Sequence, residues 1–146
     1  MIFWDASAIV PLLVAEESSE AARAVAAADP RQIVWWGSKL ECASGIARRE
    51  RDGSVSSAHA GLARARLQAM HAAWGEMPPT EEIRELACRL VQRHPVRAAD
   101  ALQLAAALTW AGGAGTGYRF ACLDGRLSLA ARAEGFTLAF PDVLAA

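Results

Sequence analysis

Three large apolar residues, Ile2-Phe3-Trp4, open the pattern and stop abruptly at a carboxylate, Asp5. The run is too short for an amphipathic helix and has the length of a strand buried on both faces, so it predicts the central strand of a parallel sheet. From Pro11 to Ala28 the spacing is helical, with Pro11 suited to a first turn and Glu16-Glu17-Ser18-Ser19 dividing the segment in two; Asp29-Pro30 ends it. Gln32 to Trp36 predicts a second strand, Ser38 to Arg51 a helix stopped by Asp52-Gly53, and Ser56 to Trp74 a long alanine-rich helix. Gly75-Glu76-Met77 fits a short edge strand, and Thr80 caps a helix over Glu81 to Arg93. After the break at His94-Pro95 come a helix from Ala98 to Ala111, a strand over Tyr118 to Leu123, a helix from Leu127 to Glu134 closed by Gly135, and a last strand over Thr137 to Phe140. Strands alternate with helices throughout, which predicts an α/β fold with a parallel sheet.

Composition narrows the class. With 146 residues, 53% hydrophobic and 21% charged, the chain has material for one domain spanning 1–146 and is not disordered. Cys42, Cys88 and Cys122 are odd in number and widely spaced in apolar runs, as expected of reduced structural thiols in a cytoplasmic protein. His59, His71 and His94 are equally scattered, without the paired spacing of a structural zinc site. No run reaches the roughly twenty apolar residues of a membrane span, and the apolar start lacks the basic flank of a signal peptide. The net charge of −1 argues against binding nucleic acid by bulk attraction, an argument that loses force where cations neutralise a site. Lys39 is the only lysine among 15 basic residues, so phosphate contacts would be of the planar, bidentate arginine kind. The glycine-rich run Gly112 to Gly117 follows a helix and enters a strand, the reverse of a nucleotide loop, and reads as a connector.

The acids change the picture. In open α/β sheets ligands bind beyond the carboxyl ends of the strands. Asp5 and Asp124 each follow a predicted strand, Glu41 lies in the first turn of the helix after the second strand, and Asp100 opens a helix that must run antiparallel to the strand it precedes. All four therefore fall at one edge. Each also has an ordinary reading: Ser38 with Glu41 matches a capping box, Asp100 complements a helix dipole, Asp124-Gly125 forms a turn, and Asp5 caps the next helix. One acidic pocket explains them together, and mutual repulsion there calls for cations. An all-oxygen donor set without His or Cys suits a hard ion, Mg²⁺ or Mn²⁺.

In order and spacing, Asp5-Ala-Ser7-Ala-Ile, Ser38-Lys-Leu-Glu41, Arg97-Ala-Ala-Asp100-Ala-Leu-Gln-Leu-Ala and Leu123-Asp124-Gly-Arg126-Leu resemble the PIN-domain ribonucleases, and most closely the VapC toxins of bacterial toxin–antitoxin pairs. The resemblance covers nearly the whole chain. It implies a three-layer α/β/α fold around a five-stranded sheet ordered 3-2-1-4-5. It carries over Asp5, Glu41, Asp100 and Asp124 as the catalytic, metal-binding carboxylates and Ser7 as a supporting hydroxyl. It also implies an RNA substrate, a homodimer and a cognate VapB-like antitoxin. Trp4, Trp35-Trp36 and the turn from Trp110 to Gly117 are bulkier or longer than the family's usual residues.

The chemistry expected of such a site is phosphodiester hydrolysis, in which bound metal lowers the pKa of a water and neutralises the leaving oxygen. A haloacid-dehalogenase phosphatase would need a second Asp where Ser7 stands, and a response-regulator receiver would need a lysine near the last strand. The remaining alternative is a catalytically silent PIN-like module that binds RNA or protein. Arg48, Arg49 and Arg51 read as cations complementing a helix C-terminus, with an RNA-tracking role as the second reading. Arg97 is spaced to pair with Asp100, Arg126 to pair with Asp124 or touch phosphate, and Trp35 and Trp36 to pack on opposite faces of their strand.

Overall fold

The computed structural model describes residues 1–145. Its frame is a parallel five-stranded sheet of β1 (Ile2–Trp4), β2 (Ile33–Trp35), β3 (Gly75–Met77), β4 (Arg119–Ala121) and β5 (Thr137–Leu138), ordered β3-β2-β1-β4-β5. The helices are α1 (Ala6–Leu13), α2 (Ser19–Ala28), α3 (Ser38–Arg51), α4 (Ser57–Ala73), α5 (Glu81–Arg93), α6 (Ala98–Trp110) and α7 (Gly125–Ala133), followed by a 3₁₀ turn over Pro141–Leu144. The class and the parallel sheet are those expected from the sequence pattern, and the strand order is the one the family resemblance implies.

Alternation along the strands divides the core. Phe3 points to one face and stacks on Phe120 of the neighbouring strand, with ring centroids 5.7 Å apart; these pack with Ile83, Leu90, Leu104 and Leu108 of α5 and α6. Ile2 and Trp4 point to the other face, with Ile9, Leu13, Ile46 and Leu67 of α1, α3 and α4. Both faces of β1 are thus buried, as its uninterrupted apolar run requires. Asp29 anchors the strand: its Oδ2 accepts the Ile2 amide at 3.1 Å and the Trp4 indole N–H at 3.0 Å. The Asp29-Pro30 helix stop is therefore also a buried tether.

Several boundaries differ from expectation. The first helix begins at Ala6 rather than Pro11, because the Asp5 side chain caps it, and Pro11 lies in its interior. α7 begins two residues early, at Gly125, because Asp124 caps it. β2, β4 and β5 are shorter than the apolar runs that predicted them. Cys88 is exposed, since the apolar stripe of α5 runs through Ile83, Ala87 and Leu90 and misses it. Trp35 is buried while Trp36 is 55% exposed, so the pair does not pack on both faces; the strand ends at Trp35 and the next residue turns outward. The glycine run is a connector whose first two members terminate α6: the Gly113 amide reaches back to the Leu108 carbonyl at 2.8 Å and Gly112 to Thr109 at 3.2 Å. Both glycines have positive φ, 83° and 112°.

Candidate active site

A cavity of about 500 Å³ opens at the carboxyl edge of the sheet, and Asp5, Glu41, Asp100 and Asp124 all line it. The sequence reading expected these four together, and they arrive from four separate helix starts. Asp5 is the N-cap of α1 and Asp124 the N-cap of α7, while Asp100 and Glu41 lie in the first turns of α6 and α3. α1, α3 and α7 each leave a strand at this edge, and α6 runs back towards it.

Asp5 is the most constrained. Its Oδ2 accepts the Ser7 amide at 3.0 Å and the Ser7 hydroxyl at 2.5 Å, with the Cys122 thiol at 3.6 Å. The Ser7 hydroxyl in turn accepts the Leu123 amide at 2.9 Å, so one serine joins the end of β4 to the start of α1. Ser7 thus holds the carboxylate in one orientation, and Oδ1 takes no bond from any described residue. Burial raises the Asp5 carboxyl above its usual range; the Ser7 bonds act against this, and the charge of Asp100 adds to it.

Glu41 does not close a capping box. Gly37 is the N-cap of α3, and Ser38, already helical, makes no capping bond. Ser38 and Glu41 instead meet Gln103 of α6, whose buried amide donates to the Ser38 hydroxyl at 3.0 Å and to Glu41 Oε1 at 3.2 Å. Burial and then the Asp5 charge push the Glu41 carboxyl up to about 7, with Gln103 opposing. Gln103 is a site residue that the sequence reading missed. The signal was present: it follows Asp100 by three residues, on the same helix face, as a polar interruption among Leu and Ala.

Asp100 is half-buried, and its carboxyl is raised by desolvation first and by Asp124 second, while Arg97 and Arg126 lower it. Among the described residues neither arginine forms an ion pair with an acid of the site, so the expected Arg97–Asp100 and Arg126–Asp124 pairs are absent. Asp124 is exposed, and its Oδ1 accepts the Leu127 amide at 2.8 Å. Arg48 and Arg49 line the far side of the same cavity, whereas Arg51 does not.

The donor set suits a hard divalent cation in its chemistry: it is all oxygen, and three of its carboxyls are held above their usual range where a cation would relieve them. Among the described residues, no three such side chains stand close enough to hold an ion as placed, so binding would have to draw them inward.

The sheet order and the convergence of helix starts define a PIN-like α/β/α fold with an acidic cavity at the strand ends. The chain is similar over nearly its whole length to several solved structures. Mycobacterium tuberculosis VapC20, a sarcin-ricin loop cleaving toxin, is 20% identical with a TM-score of 0.69, covering 94% of this chain and 97% of that one. FitAcB from Neisseria gonorrhoeae is 15% identical, with a TM-score of 0.65 over 94% and 97% of the two chains. FitAB bound to an IR36 DNA fragment is 14% identical, with a TM-score of 0.66 over 96% of each. These likenesses establish the fold. No family model and no curated protein matches the sequence. Among the described residues no helix is long and apolar enough to cross a membrane.

Proposed function

We propose that this chain, acting as a single domain, is a metal-dependent endoribonuclease toxin that hydrolyses RNA phosphodiester bonds and is neutralised by a cognate VapB-like antitoxin. The observation that carries the reading is the convergence of Asp5, Glu41, Asp100 and Asp124 on one cavity at the carboxyl edge of the sheet. Its likeness in fold to VapC20, a sarcin-ricin loop cleaving toxin, and to the Fit proteins adds support.

Asp5, Glu41, Asp100 and Asp124 would hold Mg²⁺ or Mn²⁺, which would supply a bound water of lowered pKa and charge to neutralise the leaving oxygen. Ser7 orients Asp5, leaving Oδ1 without a hydrogen bond among the described residues, and Gln103 orients Glu41 by its Oε1. In the metal-free site burial and the Asp5 charge hold the Glu41 carboxyl at about 7, a repulsion that a bound cation would relieve. A cytoplasmic homodimer completes the reading that the family resemblance suggests.

Purified protein freed of any partner should cleave total RNA when Mg²⁺ is added and stop with EDTA, and Asp5→Asn should abolish cleavage without loss of fold. The alternative, a silent PIN-like module binding RNA or protein, draws on the ungathered state of the carboxylates. Metal-independent RNA binding without cleavage at any Mg²⁺ or Mn²⁺ concentration would favour it.

A further inference from the structure

We propose that Arg48 is a phosphate-binding residue that seats the RNA backbone one step along the strand from the phosphate over the acids. The inference rests on the nuclease reading and adds to it a substrate subsite built on one wall of the cavity.

That wall is a single stripe of α3. Glu41, Ser44, Gly45 and Arg48 follow one another at helical spacing, and all four line the cavity. Arg48 lies seven positions after Glu41 on the helix, an axial distance of about 10 Å. Acid and guanidinium therefore serve different points on an extended ligand. Between them the wall is shallow: Gly45 is buried, and a Cβ there would stand 3.2 Å from Val10 of α1 and 3.3 Å from the Arg49 guanidinium.

The two arginines of the cavity differ in their commitments. Arg49 is occupied, with its Nε donating to Glu16 and its Nη1 donating to the Gly45 carbonyl at 3.0 Å. Arg48 is exposed and has no ion-pair partner among the described residues. It is thus the cation of this cavity that forms no ion pair among the described residues, the Asp52 carboxylate acting on it only from beyond contact distance. A guanidinium presents a fork that fits two phosphate oxygens. In a chain of net charge −1, whose acids at this site repel a polyanion, such a cation gives one particular direction for the backbone to run.

A cation complementing the C-terminus of α3 is the competing account. Arg51 sits in the same last turn and would serve that purpose equally, yet it lies outside the cavity. Arg51→Gln is therefore the control for the loss of a bulk charge.

The test is binding of a labelled single-stranded RNA oligonucleotide in EDTA, titrated with salt between about 50 and about 200 mM, by wild type, Arg48→Gln, Arg48→Lys and Arg51→Gln. Arg48→Gln should weaken binding about tenfold, the scale of one charged bidentate contact. It should also reduce the slope of log K against log salt by about 0.7, the value for one phosphate on a single strand. Arg48→Lys should restore the slope but only part of the affinity, because it replaces a fork by a point charge. Arg51→Gln should leave the slope at the wild-type value. Equal behaviour of the two glutamine variants, or no binding by the wild type, would overturn the proposal. Arg48-dependent binding without metal-dependent cleavage would sustain it while removing the nuclease reading. Cleavage that Asp5→Asn abolishes, combined with no effect of Arg48 on binding, would do the converse.

Discussion

Glu41→Gln in the metal-free protein should change how stability depends on pH. The Glu41 carboxyl moves from an ordinary 4.5 to about 7, mainly through burial and then through the charge of Asp5. A carboxyl whose folded-state pKa is raised keeps its proton longer in the folded protein than in the unfolded chain. Below about pH 4.5 both states are protonated and the group makes no difference; as pH rises the unfolded chain ionises first, so stability falls through this window and the loss is complete above about pH 7. At about 1.36 kcal/mol per pKa unit the full displacement corresponds to about 3 kcal/mol. Glu41 is only partly buried, so solvent screening reduces this to about 1–2 kcal/mol.

Denaturant unfolding in EDTA at a series of pH values between about 4.5 and about 8 reads this directly. Wild type should lose about 1–2 kcal/mol relative to Glu41→Gln across the range, with the two converging at the acid end. Mg²⁺ at about a hundredfold excess over Kd should then return about 2.7 kcal/mol to the wild type near pH 8, and less to the variant. Parallel stability curves for the two proteins would refute the claim that Glu41 sits in a desolvated acidic pocket.

Three further outcomes follow from particular contacts. Gln103→Leu leaves Ser38 and Glu41 without their shared donor and should cost about 1–3 kcal/mol by denaturant unfolding, although leucine fits the surrounding core. Trp4→Phe removes the indole bond to buried Asp29 and should destabilise by a similar amount, about 1–3 kcal/mol; a double-mutant cycle with Asp29→Ala should then show clear coupling. Expression without a partner should arrest growth of the host, and Asp5→Asn at an equal level of soluble protein should not; equal toxicity of the two would remove the nuclease reading.

Most of the architecture was legible because its signals were periodic. A continuous apolar triplet at Ile2–Trp4, helical stripes such as Ile83-Ala87-Leu90, and punctuation at Asp29-Pro30 and His94-Pro95 depend only on local spacing. The acids could be placed at one edge because topology alone determines which end of a helix lies over the strand ends. What escaped was decided by contacts distant in sequence. Ser38 and Glu41 have capping-box spacing, yet Gln103, 62 residues beyond Glu41, claims both side chains. Trp36 looked like a strand residue because no local pattern marks where ladder pairing stops. Pro11 argued for a helix start by its usual preference, but a capping aspartate six residues earlier outweighed it and the helix accommodated the proline.

The ordinary and the functional readings of the four acids turn out not to compete. Each acid stands at the N-terminus of a helix, and there the exposed amides and the helix dipole favour negative charge by about 0.3–1 kcal/mol apiece. Four such ends turned towards one cavity offset on the order of 1–4 kcal/mol of the repulsion among the carboxylates. That is comparable with one close like-charge pair at a protein surface, about 4 kcal/mol at 4 Å. The fold can therefore hold the acids near one another before any cation arrives, at the cost of raised pKa values rather than of a disrupted edge. Capping also aims them. Asp5 spends Oδ2 on Ser7, and Asp124 spends Oδ1 on the Leu127 amide, so in each case one oxygen fixes the side chain and the other stays available. A capping bond and a metal bond on the same carboxylate are thus compatible. Replacing Asp5 or Asp124 by Asn, which caps nearly as well, removes charge from the cavity while leaving the helix start in place.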